Sequence, residues 1–192
     1  MAEGPSRAPR PDAELIAEVI AGDRAAFDEL VERYQRRAFS VSTRLLGDAH
    51  DALEVCQEAF VRAFSKLDTL EARERFGPWL MRIVANLSLN RRRDRAAAAR
   101  VGRADANVGE LEANGARARA PHAALDDKEL LEELSRAIDR LPTMQRMALT
   151  LFAIERMPQK DVAEIMGCSV EAVKWHVFQA RKRLRERLAD YL

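Results

Sequence analysis

Cysteine is scarce in this 192-residue chain: Cys56 and Cys168 are far apart, each inside an apolar helical or turn pattern. They read as small buried hydrophobes, which excludes a disulfide framework and a paired-thiol metal or redox site. The three histidines, His50, His122 and His176, show no ligand spacing with them, so no metal ligand is expected. Aromatics make up only 6% against 47% hydrophobic and 33% charged residues, a helix-rich profile that argues against a β sandwich and against disorder. No apolar run approaches membrane-spanning length, and none follows Arg7 and Arg10 at the N-terminus. A cytoplasmic, soluble protein without membrane insertion is expected. A nucleophile with a paired base, a glycine-rich phosphate loop and a metal cluster are all missing, so the sequence predicts no catalytic residues, no cofactor and no enzyme. Excess charge is missing as well, but the formal net charge of +1 conceals a segregation of sign. Acidic residues gather at Asp48 to Glu58 and Asp126 to Glu133, basic ones at Arg91 to Arg103 and Arg181 to Arg187. A polyanionic partner is therefore not excluded.

Apolar spacing predicts an all-α chain of two small helical domains joined by a flexible linker. Residues 1–11, with Gly4, Pro5, Pro9 and Pro11, read as a disordered tail. The first domain is expected over 12–95. Asp12 caps a short helix that buries Leu15, Ile16, Val19 and Ile20 and stops at Gly22. Asp23 starts a long amphipathic helix through Phe27, Leu30, Val31, Tyr34, Ala38, Val41 and Leu45, ending near Gly47. From Asp48 to Leu67 a third helix turns Ala52, Val55, Cys56, Ala59, Phe60, Ala63 and Leu67 inward. Its other side carries Asp51, Glu54, Gln57, Glu58 and Arg62, on residue chemistry alone a solvated face.

The stretch from Leu67 to Gly77 offers few apolar residues and reads as an exposed loop or short turn, after which Pro78 takes the first position of a helix. That helix buries Leu80, Ile83, Val84 and Leu87, with Arg82, Asn86, Asn90 and Arg93 along another stripe. Asparagine is a poor mid-helix residue, and hydrogen bonding to nucleic-acid bases is one reason for its presence. Phe76 and Trp79 are stacking surfaces for bases or members of the core. Residues 96–124 lose the apolar period and form the linker. The second domain, 125–192, begins with a helix facing inward through Leu130, Leu131, Leu134, Ile138 and Leu141. Pro142 breaks it, and a second helix over 143–156 packs Met147, Ala148, Leu151, Phe152 and Ile154.

After Pro158 the chain reads as helix, tight turn, helix. Val162, Ala163, Ile165 and Met166 form the apolar side of a short helix, and Gly167 permits the positive φ of the turn. Ser169 caps the next helix, and Val173 fills the angle between the two. Gln159, Ala163, Gly167 and Val173 match helix-turn-helix spacing. The second helix presents Lys174, Trp175, Phe178, Gln179, Arg181 and Lys182, groups able to reach phosphates and base edges.

The whole layout resembles the extracytoplasmic-function sigma factors, compact members of the bacterial sigma-70 superfamily. Three blocks carry the resemblance: Asp51 to Asp68 with its Gln-Glu pair, Arg75 to Arg93 with its Phe-x-x-Trp-Leu-x-x-Ile-x-x-Asn pattern, and Ala137 through the helix-turn-helix. The resemblance implies a subunit that binds core RNA polymerase, recognises two promoter elements as duplex and single-stranded DNA, and opens the strands. It assigns Asp51, Glu54, Gln57 and Glu58 to the polymerase surface, which replaces the solvated reading of that face. It assigns Trp79, Arg82, Asn86, Asn90 and Arg91 to the downstream element, with Asn86 on an unstacked base. Lys174, Trp175, His176, Phe178, Gln179 and Lys182 are assigned to the major groove of the upstream element. Trp175 and His176 stand where many members carry a small polar residue and an arginine. An anti-sigma factor is implied as a further partner. A free-standing two-domain helix-turn-helix regulator is the alternative, and it would bind duplex DNA tightly without polymerase.

Overall fold

The computed structural model describes residues 10–104 and 127–191. Most of the expected tail and much of the expected linker lie outside the described residues. Eight α-helices, among the described residues, form two groups: α1 (Asp12–Ile20), α2 (Ala25–Leu46), α3 (Ala49–Ser65) and α4 (Phe76–Ala104), then α5 (Asp127–Asp139), α6 (Thr143–Ala148), α7 (Gln159–Met166) and α8 (Val170–Arg187). No strand occurs among the described residues.

In the first group α2, α3 and α4 pack pairwise and α1 lies against α2. The inward faces are those the spacing predicts: Leu30, Ala38, Val41, Val55, Ala59, Leu80 and Val84 are almost fully buried. Gly47 ends α2 in the left-handed conformation, and the Asp48 side chain caps α3 by accepting from the Asp51 N–H. Several local expectations are corrected. Pro11, not Asp12, occupies the N-cap position of α1, and the Asp12 carboxylate instead accepts from Arg33 and the Tyr34 hydroxyl. Ile20, the last residue of α1, is 45% exposed. The stretch before α4 forms short turns as expected, but it is not all exposed: two 3₁₀ turns, Leu67–Thr69 and Arg73–Arg75, sink Leu67 and Leu70 into the core. The helix after them starts at Phe76, so Pro78 sits in its first turn, where no backbone N–H is needed. At its other end α4 runs to Ala104, making helix of the first residues expected in the linker.

At the start of α4 the backbone passes so close to Tyr34 that a Cβ on Gly77 would lie 2.9 Å from its ring. Tyr34 cannot easily yield, because Asp12 holds its hydroxyl and Phe76 packs edge-on at 5.4 Å. Burial, with the Asp12 bond second, raises the Tyr34 phenol well above its ordinary value, so the ring stays neutral. Gly77→Ala gains up to about 1 kcal/mol of helix propensity but overpacks by about 1–3 kcal/mol. A net loss of stability is expected in urea unfolding; a gain would show that the tyrosine moves aside.

In the second group the helix expected over 143–156 is divided. After α6 the chain widens into a π-helical turn, Leu149–Ile154, with the Glu155 N–H bonded to Thr150 O at 2.9 Å. Arg156 then takes a positive φ of 53°, an unusual conformation for a residue with a side chain, and turns the chain into α7. Helix α5 is only partly covered, packing mainly on α8. Leu131, expected in its buried face, is accordingly 63% exposed.

The two groups share one continuous apolar core that runs from Leu15 through Leu80 and Met81 to Leu151, Val162 and Val173. Helix α7 lies against α4, and the π-helical turn against α2. Charged groups line this seam. Glu155 accepts from Ser40 Oγ at 2.7 Å and lies 3.8 Å from both Arg37 and Arg44. Arg75 reaches Asp161 at 2.8 Å and Glu164 at 2.7 Å. Arg146 is 2% exposed; it pairs with Asp139 at 3.1 Å and donates to Leu45 O at the end of α2. Burial first, and Arg92 second, pull its guanidinium down to about 10, so it stays charged at neutral pH.

Candidate nucleic-acid and protein-docking surfaces

The outer side of α3 is more apolar than its acidic residues suggest. Leu53 is 51%, Val61 65% and Phe64 40% exposed, and with Gln57 they fall on one helical stripe. Asp51, Glu54 and Glu58 border it. Their charges are partly engaged: Arg91 lies 3.3 Å from Asp51 and 2.7 Å from Glu54, Arg95 also reaches Asp51, and Arg62 pairs with Glu58 at 2.6 Å. The Arg91 bond is the main cause holding the Glu54 carboxyl below its ordinary range. An apolar strip with an acidic border is the anatomy of a protein-docking surface. Sequence reasoning named the border and missed Leu53, Val61 and Phe64.

On α4 the periodicity brings Trp79, Arg82, Asn86, Asn90 and Arg93 along one face. Arg82, Asn86 and Asn90 are exposed, and Asn90 is held by Arg93. Trp79 is half-buried, its ring centroid 5.9 Å from that of Phe76, which is fully buried. Phe76 is thus a core residue, and Trp79 is both a core neighbour and an accessible edge. Arg91 points away from this stripe toward α3, into its pairs with Asp51 and Glu54. Asn86, Asn90, Arg92, Arg93 and Ala96, with Thr143 of α6, line an open cleft of about 680 Å³.

The helix-turn-helix is built as its spacing predicts. Gly167 is left-handed at φ 64°, Cys168 N–H returns to Ala163 O at 3.0 Å, and Ser169 Oγ accepts from the Ala172 N–H at 3.1 Å. Val173 is fully buried in the angle between α7 and α8. Lys174, Trp175, Phe178 and Lys182 form an exposed face, with Trp175 54% and Phe178 63% exposed. His176 and Gln179 are half-buried to one side, and the His176 ring lies 5.0 Å from that of Trp175. A second cleft of about 350 Å³ joins Gln179, Lys182, Arg183 and Arg187 to Arg140 from the end of α5. Arg140 carried no periodic signal and was not among the expected residues. Among the described residues no helix is long and apolar enough to cross a membrane.

Residues 30–98 match the family described as Sigma-70 region 2, and residues 131–184 match Sigma-70, region 4. The chain is 30% identical to the ECF RNA polymerase sigma factor SigW of Bacillus subtilis over 184 residues, covering 91% of this chain and 95% of that protein. It is 32% identical to the ECF RNA polymerase sigma-E factor of Escherichia coli over 176 residues, covering 90% and 92%. Among solved structures, CnrH in complex with the cytosolic domain of CnrY matches with a TM-score of 0.65 and 27% identity, covering 94% of this chain and 98% of that one. The sigma factor RpoE of Bartonella quintana, in complex with the anti-sigma factor NepR, matches with a TM-score of 0.65 and 25% identity, covering 85% and 96%. With both regions present, in order and at these identities over nearly full length, the chain belongs to the extracytoplasmic-function sigma factors of RNA polymerase, a family of transcription initiation subunits and not of enzymes.

Proposed function

We propose that the three surfaces divide the work of promoter use among them. The stripe of α3, Leu53, Gln57, Val61 and Phe64 bordered by Asp51, Glu54 and Glu58, docks on a basic, partly apolar helical element of core polymerase. The face of α8, with Lys174, Trp175, Phe178 and Lys182 outward and His176 and Gln179 beside them, enters the major groove of the upstream element. Arg140, Arg183 and Arg187 flank it on the phosphates, so this binding weakens steeply with salt. The α4 stripe of Trp79, Arg82, Asn86 and Asn90 holds the unpaired strand of the downstream element.

The observation that carries this reading is Asn86, exposed in mid-α4 with a side chain that bonds to no described residue, whereas Asn90 already accepts from Arg93. An amide in mid-helix lowers helix propensity and gains nothing from packing there, so its use lies in hydrogen bonds to something outside the chain. Strand opening has a cost in lost pairing and stacking. A surface that binds a base only when it is out of the stack offsets that cost on the single-stranded state. The chain works in the cytoplasm, where its polymerase and templates are, and an anti-sigma factor covers its docking surfaces until a signal releases it. The Bartonella relative, solved with such a factor, supports that last step.

The test is run-off transcription by core polymerase on a library of genomic promoters, with and without the chain. New start positions that depend on the chain are expected. If none appears, and the isolated chain binds duplex promoters tightly by itself, the chain acts as a free-standing regulator instead.

A further inference from the structure

We propose that Asp161 and Glu164 of α7 occupy on Arg75 the place of a DNA phosphate. Closure of the helix-turn-helix onto α4 and capture of a single strand by the segment before α4 then exclude one another. This rests on the function proposed for α4 above.

Arg75 ends the 3₁₀ turn that leads into α4, and the next residue, Phe76, is fully buried, so the backbone that carries Arg75 is fixed. It stands at the head of the stripe that continues through Trp79, Arg82 and Asn86. Its guanidinium receives two carboxylates, Asp161 at 2.8 Å and Glu164 at 2.7 Å, three residues apart on one side of α7. Both bonds end on the same nitrogen, Nη2, and bring to it the anionic oxygens that a phosphodiester would otherwise supply.

A second observation points the same way. In the ion pairs across the seam among the described residues, the cation comes from the first group of helices, Arg37, Arg44 and Arg75, and the anion from the second, Glu155, Asp161 and Glu164. A seam serving packing alone is indifferent to sign. A surface that also receives a polyanion is not, and what closes over it must carry negative charge. The Glu164 arm of the contact is easily exchanged, because Arg75 is 44% and Glu164 51% exposed and a pair this open is weakened by solvent and salt; Asp161, 17% exposed, is the firmer arm. The tether between the two groups keeps α7 at high effective concentration, so a strand must compete with it, and polymerase, by holding the groups apart, removes that competitor.

The experiment uses the full chain and a short fluorescein-labelled single-stranded DNA of mixed sequence, read by anisotropy at low salt, with small-angle scattering for compactness. Asp161→Asn with Glu164→Gln should leave the free chain compact, because the shared apolar core remains, and tighten binding by about tenfold, the combined value of the two ion pairs. Asp28→Asn with Glu32→Gln, an equal change of charge at exposed sites on α2, should leave the compactness unchanged and tighten binding much less. Arg75→Gln added to the α7 variant should abolish the gain. If the α7 variant binds no tighter than the α2 control, or if its gain survives Arg75→Gln, the proposal is wrong. Failure of the promoter assignment would show in the run-off assay and leave these ratios untouched.

Discussion

Aspartates in place of Leu53 and Val61 should lower the affinity of the chain for core RNA polymerase by about a hundredfold or more while leaving it folded. Both side chains are more than half exposed in the free chain, Leu53 at 51% and Val61 at 65%, so little packing is lost and the change in stability should stay within about 0.5 kcal/mol. In the docked state both positions lie on the stripe itself and not on its acidic border. There an aspartate forfeits the apolar burial and must also be stripped of water without a partner, and about 2.7 kcal/mol from the two effects is a hundredfold. Glu58→Lys should do less, because Glu58 stands on the border and already answers to Arg62. Titration of labelled core polymerase, with circular dichroism as the check on folding, decides the matter. Unchanged affinity in the double variant would move the docking surface off α3.

Asn86→Ala should reduce strand opening by about ten- to a hundredfold with little change in duplex binding, a loss of about 1–3 kcal/mol from one polar group left without its partner. Asn86 is exposed, and its side chain makes no hydrogen bond to any described residue. Alanine is the better helix former by about 0.5 kcal/mol, so the variant should be slightly more stable. A fall in activity beside a rise in stability separates a contact residue from a structural one. Permanganate reactivity of unpaired thymines reports opening, and band shifts report the closed complex. An equal loss in both would place Asn86 on the duplex instead.

The parts of this molecule that were legible in its sequence are those with a period or a fixed spacing. The inward faces of α2 and α3 follow from apolar residues three and four apart, and the turn at Gly167 follows from the one residue that enters the left-handed region at little cost. The π-helical turn was not legible, since Leu149 to Ile154 are apolar in a way that suits an ordinary helix. Leu53, Val61 and Phe64 were missed because an apolar residue looks alike in a core and in a docking strip; only its exposure tells them apart. The expected DNA-facing group on α4 included Arg91, whose direction depends on α3, forty residues away in the case of Asp51. Arg75 and its two carboxylates were invisible for the same reason: ion pairs 86 and 89 residues apart leave no trace in local pattern.

Because the apolar core passes without interruption from Leu80 and Met81 to Leu151 and Val162, the free chain has no internal boundary at which heat can act on one half alone. Its melting should be a single cooperative event in which all the helices go together. If polymerase holds the halves apart, as proposed, each half must stand on its own smaller core, and the protein exchanges shared thermal endurance for reach.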